Sequence, residues 1–314
     1  MGTESPVLSP EESFISMREL DPLSVDDSPI EIAQADYFPA DTQKPTAPFV
    51  RSTTSLGLRD HSTAWWLTRI QRYSSYTFSA FLAAHITNTS IIPLVTKSVG
   101  ASENYLLLTR PYYQSPVFEP LIVLIPLGLH IASGVALRLY RRRQAVVWYG
   151  AESKADRENI AWPKLSGTSL LGYLFWPAIT AHIYVNRGLP LLVEGGSSGV
   201  GLSYVAHGFA RHPAFAYTAY AALLGLGVSH IIWGWAKWLG FSPDVVTGVD
   251  AYEKKAAKQR RWYSINTIAL LTIATWAAGG LGILARGGPA LGWKGRNYDQ
   301  LFRHIPLIGH WLAP

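Results

Sequence analysis

Five stretches of the chain contain no Asp, Glu, Lys or Arg: Tyr73 to Thr96, Pro120 to Leu137, Leu165 to Asn186, His212 to Ala236 and Trp262 to Ala285. Each is about the length that crosses the hydrocarbon of a bilayer. A water-soluble core can absorb one or two such runs, but not five at regular intervals. Backbone groups in lipid must be satisfied within the segment or by closing a barrel, and no alternation of period two is present to suggest strands. The pattern therefore predicts an all-α membrane protein with five transmembrane helices. The first run is the most polar, with Ser74, Ser75, Thr77, Ser79, Thr87, Asn88 and Ser90. Such a helix is expected inside a bundle, where hydroxyls and amides find partners.

The runs also repeat. YSSYTFSAFLAAHITNTSIIPL from Tyr73 corresponds to LGYLFWPAITAHIYVNRGLPLL from Leu171, aligning Tyr76, Phe78, His85 and Pro93 with Tyr173, Phe175, His182 and Pro190. LHIASGVALRL around His130 corresponds to SHIIWGWAKWL around His230, and each His is followed four residues later by a glycine, Gly134 or Gly234. Two apolar segments, each with one central histidine, thus occur twice. A duplicated membrane hairpin plus a fifth helix is the expected architecture. It divides the chain into an arm over residues 1–50, a five-span domain over 51–286 and a short amphipathic C-terminal tail over 287–314. Within the membrane domain the repeats run over about 69–143 and 165–240, and the fifth span over 262–285.

Charge sets the orientation. Near the span ends, Arg51, Arg59, Arg69 and Arg72 before the first run and the basic residues from Arg138 to Lys164 and from Lys237 to Arg261 number seventeen, against eight on the opposite side. The positive-inside rule places the N-terminus and these loops in the cytosol. The overall charge of +6 is explained by basic residues at span ends, where anionic headgroups lie, and not by nucleic acid. The absence of cysteine excludes disulfides, thiolate catalysis and iron–sulfur ligation by this chain. No phosphate loop or nucleophile motif points to an enzyme. The first fifty residues carry ten acidic residues against Arg18 and Lys44, with seven prolines, and read as a disordered solvated arm. That composition does not fit a basic mitochondrial presequence or a secretory signal. GGSSGVG from Gly195 reads as a flexible loop. Tyr105 to Pro111 and Tyr204 to Pro213 are expected to lie at the far interface.

The sharpest chemical feature is the set of four span histidines, His85, His130, His182 and His230. His130 and His230 lie roughly 11 to 12 Å below the basic surface, and His85 and His182 roughly 20 to 27 Å below it, at 1.5 Å per residue. Two pairs of imidazoles on facing helices suit bis-histidine haem b, with Gly134 and Gly234 leaving room for a flat macrocycle. Equally, glycine beside a small or polar residue packs membrane helices closely, and a neutral histidine can simply hydrogen-bond a neighbour. His61, His207, His212, His304 and His310 receive no role.

RIQRYSSYTFSAFLAAHITN from Arg69, the paired HIASG and HIIWG motifs and the five-span layout resemble the fungal mitochondrial outer-membrane adapter family, the MDM-complementing (Mcp) proteins. The HxxxG arrangement is also similar to that of the haem-anchor subunits of succinate and fumarate reductases. The first resemblance implies a mitochondrial outer-membrane protein with a cytosolic N-terminus, acting in lipid homeostasis and mitochondrial morphology at membrane contact sites. It also implies that the arm recruits a bridge-like lipid-transfer protein of the vacuolar-protein-sorting class through a Pro-x-Pro motif. Here the nearest approach is Pro45-Thr-Ala-Pro48, one residue longer. Extended segments bind by adding a strand to a sheet edge or by filling proline-fitted grooves, which makes Tyr37, Phe38, Pro39, Pro45, Pro48 and Phe49 the candidate contacts. Three functions follow from these features: such an adapter, a di-haem b-type cytochrome, and a lipid scramblase or transporter, which needs a hydrophilic groove. Membrane lipids are partners in all three.

Overall fold

The structure is a computed structural model and describes residues 62–247 and 250–311. The predicted arm, with Tyr37, Phe38, Pro39, Pro45, Pro48 and Phe49, lies outside the described residues. Among those described there is helix and no strand. Four helices are long and apolar enough to cross a membrane: α1 (Thr63–Thr96), α3 (Pro120–Trp148), α7 (Pro213–Val245, its α-helical part Pro213–Trp238) and α8 (Ala251–Arg286, α-helical over Ala251–Gly280). The protein buries only 17% to 22% of the most apolar stretch of each. A helix in a soluble core would be far more covered, so the outward Leu121, Ile125, Leu129, Leu270 and Leu271 face lipid.

Between α1 and α3 lies α2 (Val99–Tyr113), and after α3 comes the short α4 (Lys154–Asn159). Next, α5 starts as Gly167–Ile183 and continues without a break through Tyr184–Gly188 and Leu189–Glu194. Helix α6 (Leu202–Arg211) precedes α7, and α9 (Gly292–Arg303) follows α8. Side chains set the starts: Ser62, Ser98 and Ser166 each accept a backbone N–H three residues on, and Asp250 caps α8 through Glu253 N. The α6 N-cap is Gly201, which has no side chain to offer. Glu103 of α2 takes over, its carboxylate accepting from Ser203 N at 2.9 Å, where the helix dipole favours an anion.

Three helices widen into a π turn at the same place relative to a proline. The π turns are Thr87–Ile91, Pro120–Leu124 and Tyr184–Gly188, and Pro93, Pro126 and Pro190 each follow two residues later. A proline inside a helix lacks an N–H and its ring collides with the carbonyl four residues earlier. A wider turn just before it relieves the collision and re-routes the backbone bonds.

Close backbone packing is concentrated within two hairpins, α1 with α3 and α5 with α7, and in the packing of α8 against α7 and the Thr87–Ile91 turn. Across the seam between the hairpins, long side chains make the contact instead. Tyr76 stacks on Trp235 with centroids 4.8 Å apart, the Trp235 indole donates to Ser79 Oγ at 3.1 Å, and Arg72 donates to the Trp238 carbonyl at 3.0 Å. Of the polar side chains of the first helix, Ser74, Asn88 and Ser90 are buried as expected, whereas Thr77 and Thr87 are exposed and donate to the Tyr73 and Ala83 carbonyls of their own helix.

Sequence boundaries shift in three places. Helix α8 begins at Ala251, well before the charge-free run at Trp262, because a helix can extend into water beyond the segment that lipid requires. Helix α5 continues past Asn186 and Arg187 to Glu194. The GGSSGVG segment is held in place: Arg187 donates to Ser197 Oγ, Arg110 donates to the Ser197 and Ser198 carbonyls, and Val200 is buried. Two guanidinium groups there supply the hydrogen bonds that a free glycine loop would take from water.

Candidate functional site

The seam brings the span histidines together in the pairs the repeat suggested. His85 of α1 meets His182 of α5 with ring centroids 6.0 Å apart and planes at 75°. His130 of α3 meets His230 of α7 at 5.9 Å, again at 75°. His130 Nδ1 lies 3.1 Å from the Gln71 carbonyl and His230 Nδ1 lies 3.0 Å from the Thr168 carbonyl. Each of these bonds stays within its own hairpin. His85 stacks on Phe81 and packs edge-on to Trp276, while His182 packs edge-on to Tyr220.

The two motif glycines do different things. A β-carbon at Gly134 would come within 2.8 Å of the Gln71 amide nitrogen, so that face is filled by a side chain. At Gly234 nothing lies within 4 Å of the same position. Two further glycines admit rings directly: a β-carbon at Gly172 would come within 2.7 Å of the His230 imidazole, and one at Gly227 within 2.6 Å of the Phe175 ring. They follow no spacing rule and were not singled out from sequence.

A second feature sits at the end of the bundle away from His130 and His230. Leu189, Val200, Tyr204, Tyr298, Leu301, Phe302 and Ile305 form the largest buried apolar cluster, so the C-terminal tail is a packed element of the fold. His207 lies beside it, almost fully buried. Its Nδ1 accepts from Ala290 N at 3.0 Å, which puts its proton on Nε2, and Nε2 donates to Asp299 at 3.0 Å. Arg211 reaches the same carboxylate at 3.3 Å. With both ring nitrogens occupied, His207 fastens α9 to α6 and has no lone pair left for chemistry. No local pattern signals this contact, since His207 and Asp299 lie far apart in the chain.

Desolvation pushes the Asp299 carboxyl up, but the hydrogen bonds from His207 and Arg211 and the Arg211 charge outweigh it and hold it below its ordinary 3.8. A carboxyl depressed by folding contributes stability above its unfolded pKa and loses that contribution as pH falls through the folded value. Asp299→Asn is therefore expected to melt earlier than the parent protein at pH 7, with the gap closing below about pH 4. Thermal denaturation at pH 7 and pH 3 checks this, and an equal gap at both would refute it.

Next to His182 a cavity of about 170 Å³ opens between α5, α6, α7 and the C-terminal helix, lined mostly by apolar groups such as Ala178, Ala181, Ala216, Ala219 and Leu223. His212 borders it with a buried Nε2 that has no hydrogen-bond partner. Its apolar walls are unlike the hydrophilic groove that lipid scrambling needs.

Fold and seam together define a multispanning helical membrane protein with no strand among its described residues. Residues 177–289 match the family model described as MDM10-complementing protein 1, transmembrane domain. The match runs from Pro177 in α5 to just past α8, and it is to the family that the first helix and the paired histidine motifs resemble in sequence. No curated protein and no solved structure matches the chain.

Proposed function

We propose that this protein is a mitochondrial outer-membrane adapter whose N-terminal arm recruits a bridge-like lipid-transfer protein of the vacuolar-protein-sorting class, supporting lipid homeostasis and mitochondrial morphology at membrane contact sites. The match of residues 177–289 to the MDM10-complementing transmembrane domain carries this reading. In it the bundle is the anchor and the arm is the hook.

The bundle in this reading has five spans. Helix α5 is unbroken over residues 167–194, which at 1.5 Å per residue is roughly 40 Å, more than a bilayer requires. Its Trp176, Pro177, His182, Asn186 and Arg187 lower its hydropathy, but it packs along α7 as α1 packs along α3. Two hairpins with a π turn and a proline at matching positions support a duplicated unit, with α8 as the added helix. Five spans then put the arm in the cytosol and the C-terminus across the membrane.

Deleting residues 1–50 is expected to abolish recruitment of the lipid-transfer partner to mitochondria and to leave membrane insertion intact. Fluorescence co-localisation with alkaline extraction of membranes reads both quantities. Recruitment that survives the deletion would sink the adapter role of the arm.

A further inference from the structure

Side chains such as Gln71 fill the seam between His130 and His230, whereas space is left beside His182. The cavity there, about 170 Å³, is close to the roughly 150 Å³ that admits one benzene ring in an engineered protein core. Its walls include small residues on facing helices, Ala178 and Ala181 of α5 and Ala216, Ala219 and Ala222 of α7. Ala181, Ala219 and Ala222 are also exposed on the outside of the bundle, so the cavity opens sideways between the two helices toward lipid. None of the described residues that line it is Asp, Glu, Lys or Arg. A phosphate group drawn in would lose its hydration with no cation to replace it. The cavity therefore suits a neutral molecule from the lipid phase with a smooth face to lay on alanines.

One polar atom of the lining has no partner. His212 Nε2 is buried without a hydrogen bond, and its ring packs edge-on to Phe302 of α9 with centroids 5.7 Å apart. An acyl tail in the cavity would leave that atom unsatisfied. A lone water would need two to four polar partners. Of the other polar groups in the lining, Tyr204 already donates to the Val185 carbonyl at 3.3 Å and Asn186 to the His182 carbonyl at 2.8 Å. A hydroxyl on the occupant satisfies Nε2 in either tautomer, because it can donate to a lone pair or accept from an N–H. His212 follows Arg211 and directly precedes α7, which places it at the membrane surface opposite the cytosol. Ala216, Ala219 and Leu223 lie roughly 6, 10 and 16 Å further along the helix at 1.5 Å per residue. The unpartnered atom is thus at headgroup depth, and the alanine wall runs from it toward the membrane interior.

We propose that this cavity is a binding site for a free sterol, which places its hydroxyl on His212 Nε2 and the flat face of its rings along the alanines of α5 and α7. A sterol is neutral and rigid and carries one hydroxyl on a six-membered ring. The enclosed volume takes that ring, and the rest of the molecule lies in the groove that opens to lipid. A diacylglycerol also has one hydroxyl, but its two flexible chains would lose rotational freedom that a fused ring system has already given up. The site requires α7 to cross the membrane and does not involve the arm, so it stands or falls apart from the adapter reading.

The test uses full-length protein purified in detergent and titrated with dehydroergosterol, a fluorescent sterol, with energy transfer from tryptophan as the signal. Trp176, two residues before Ala178, is a donor near the cavity. The expected result is saturable binding of one sterol per chain, displaced by unlabelled ergosterol and not by a steryl ester, which lacks the free hydroxyl. Ala219→Leu fills the groove and should abolish saturable binding. His212→Phe keeps the ring and should weaken binding about threefold to tenfold, the value of one hydrogen bond. Ala221→Leu adds the same bulk to an exposed position of α7 outside the lining and should bind as the parent protein does. Circular dichroism and gel filtration confirm that each variant folds, and if His212→Phe does not, the two alanine variants still decide. A signal that never saturates, or that is equal in Ala219→Leu and Ala221→Leu, would mean partition into the micelle and would overturn the proposal. So would equal displacement by dioleoylglycerol, or unchanged affinity in folded His212→Phe.

Discussion

Gly279→Ala is expected to lower the stability of the membrane domain by about 3 kcal/mol or more, placing it among the more damaging single methyl additions. Helix α8 touches the Thr87–Ile91 turn of α1 backbone to backbone at this residue. A β-carbon on Gly279 would lie 2.2 Å from the Ser90 carbonyl oxygen and 2.5 Å from its Cα. Neither atom can move without shifting a helix. The approach is tied from the other side by Ser90, which is fully buried and donates its hydroxyl to the Thr275 carbonyl at 2.9 Å. Membrane helices gain little from the hydrophobic effect on association, so packing of this closeness carries much of the adhesion between them. The neighbouring Gly280 is an internal control. Its nearest contact from a β-carbon is an ordinary 3.8 Å, and Gly280→Ala should be neutral or slightly stabilising through helix propensity. Thermal melts of the two variants in the same detergent decide the matter, and equal melting temperatures would refute the account.

Breaking the Glu119–Arg187 pair should rank next, at about 2–4 kcal/mol for Glu119→Gln. Arg187 lies within α5 and presents its guanidinium as a fork: Nε donates to Glu119 Oε1 at 2.6 Å, one terminal nitrogen to the other carboxylate oxygen, and the second to Ser197 Oγ. The two side chains retain only 25% and 15% of their exposure. A planar fork matched to a carboxylate is specific to arginine, so Arg187→Lys should recover only part of the stability. The pair joins the start of α3 to the end of α5, and so ties the two hairpins together at the end of the bundle away from His130 and His230. A double-mutant cycle with Glu119→Gln and Arg187→Gln measures the coupling. Strictly additive losses would mean that the bridge contributes nothing beyond its parts.

That pair also explains where sequence reading ended α5 too early. Counting charges treats Arg187 as the edge of a span, because an isolated guanidinium does not stay in lipid. Paired with Glu119 it is neutralised locally, and the helix continues to Glu194. The partner is far away in the sequence, so no local window contains the information. The same holds at the C-terminus, where Tyr298, Leu301 and Phe302 read as one face of a modest amphipathic tail. Only contact with Tyr204, Val200 and Leu189 turns that face into a core.

The sequence by itself determined the helical class, the position of the long apolar helices, the polar character of the first one and the identity of the four histidines worth watching. These are consequences of composition and period within about twenty residues, which is the range over which lipid solvation and helix geometry act. Only the tertiary structure decided which nitrogen of His130, His207 and His230 carries the proton, which glycines admit a ring and which a backbone, and that His207, Asp299 and Arg211 lock the far end. Those outcomes depend on carbonyls, amides and carboxylates delivered from other helices at distances near 3 Å, and a one-dimensional pattern does not encode where another helix places its donors.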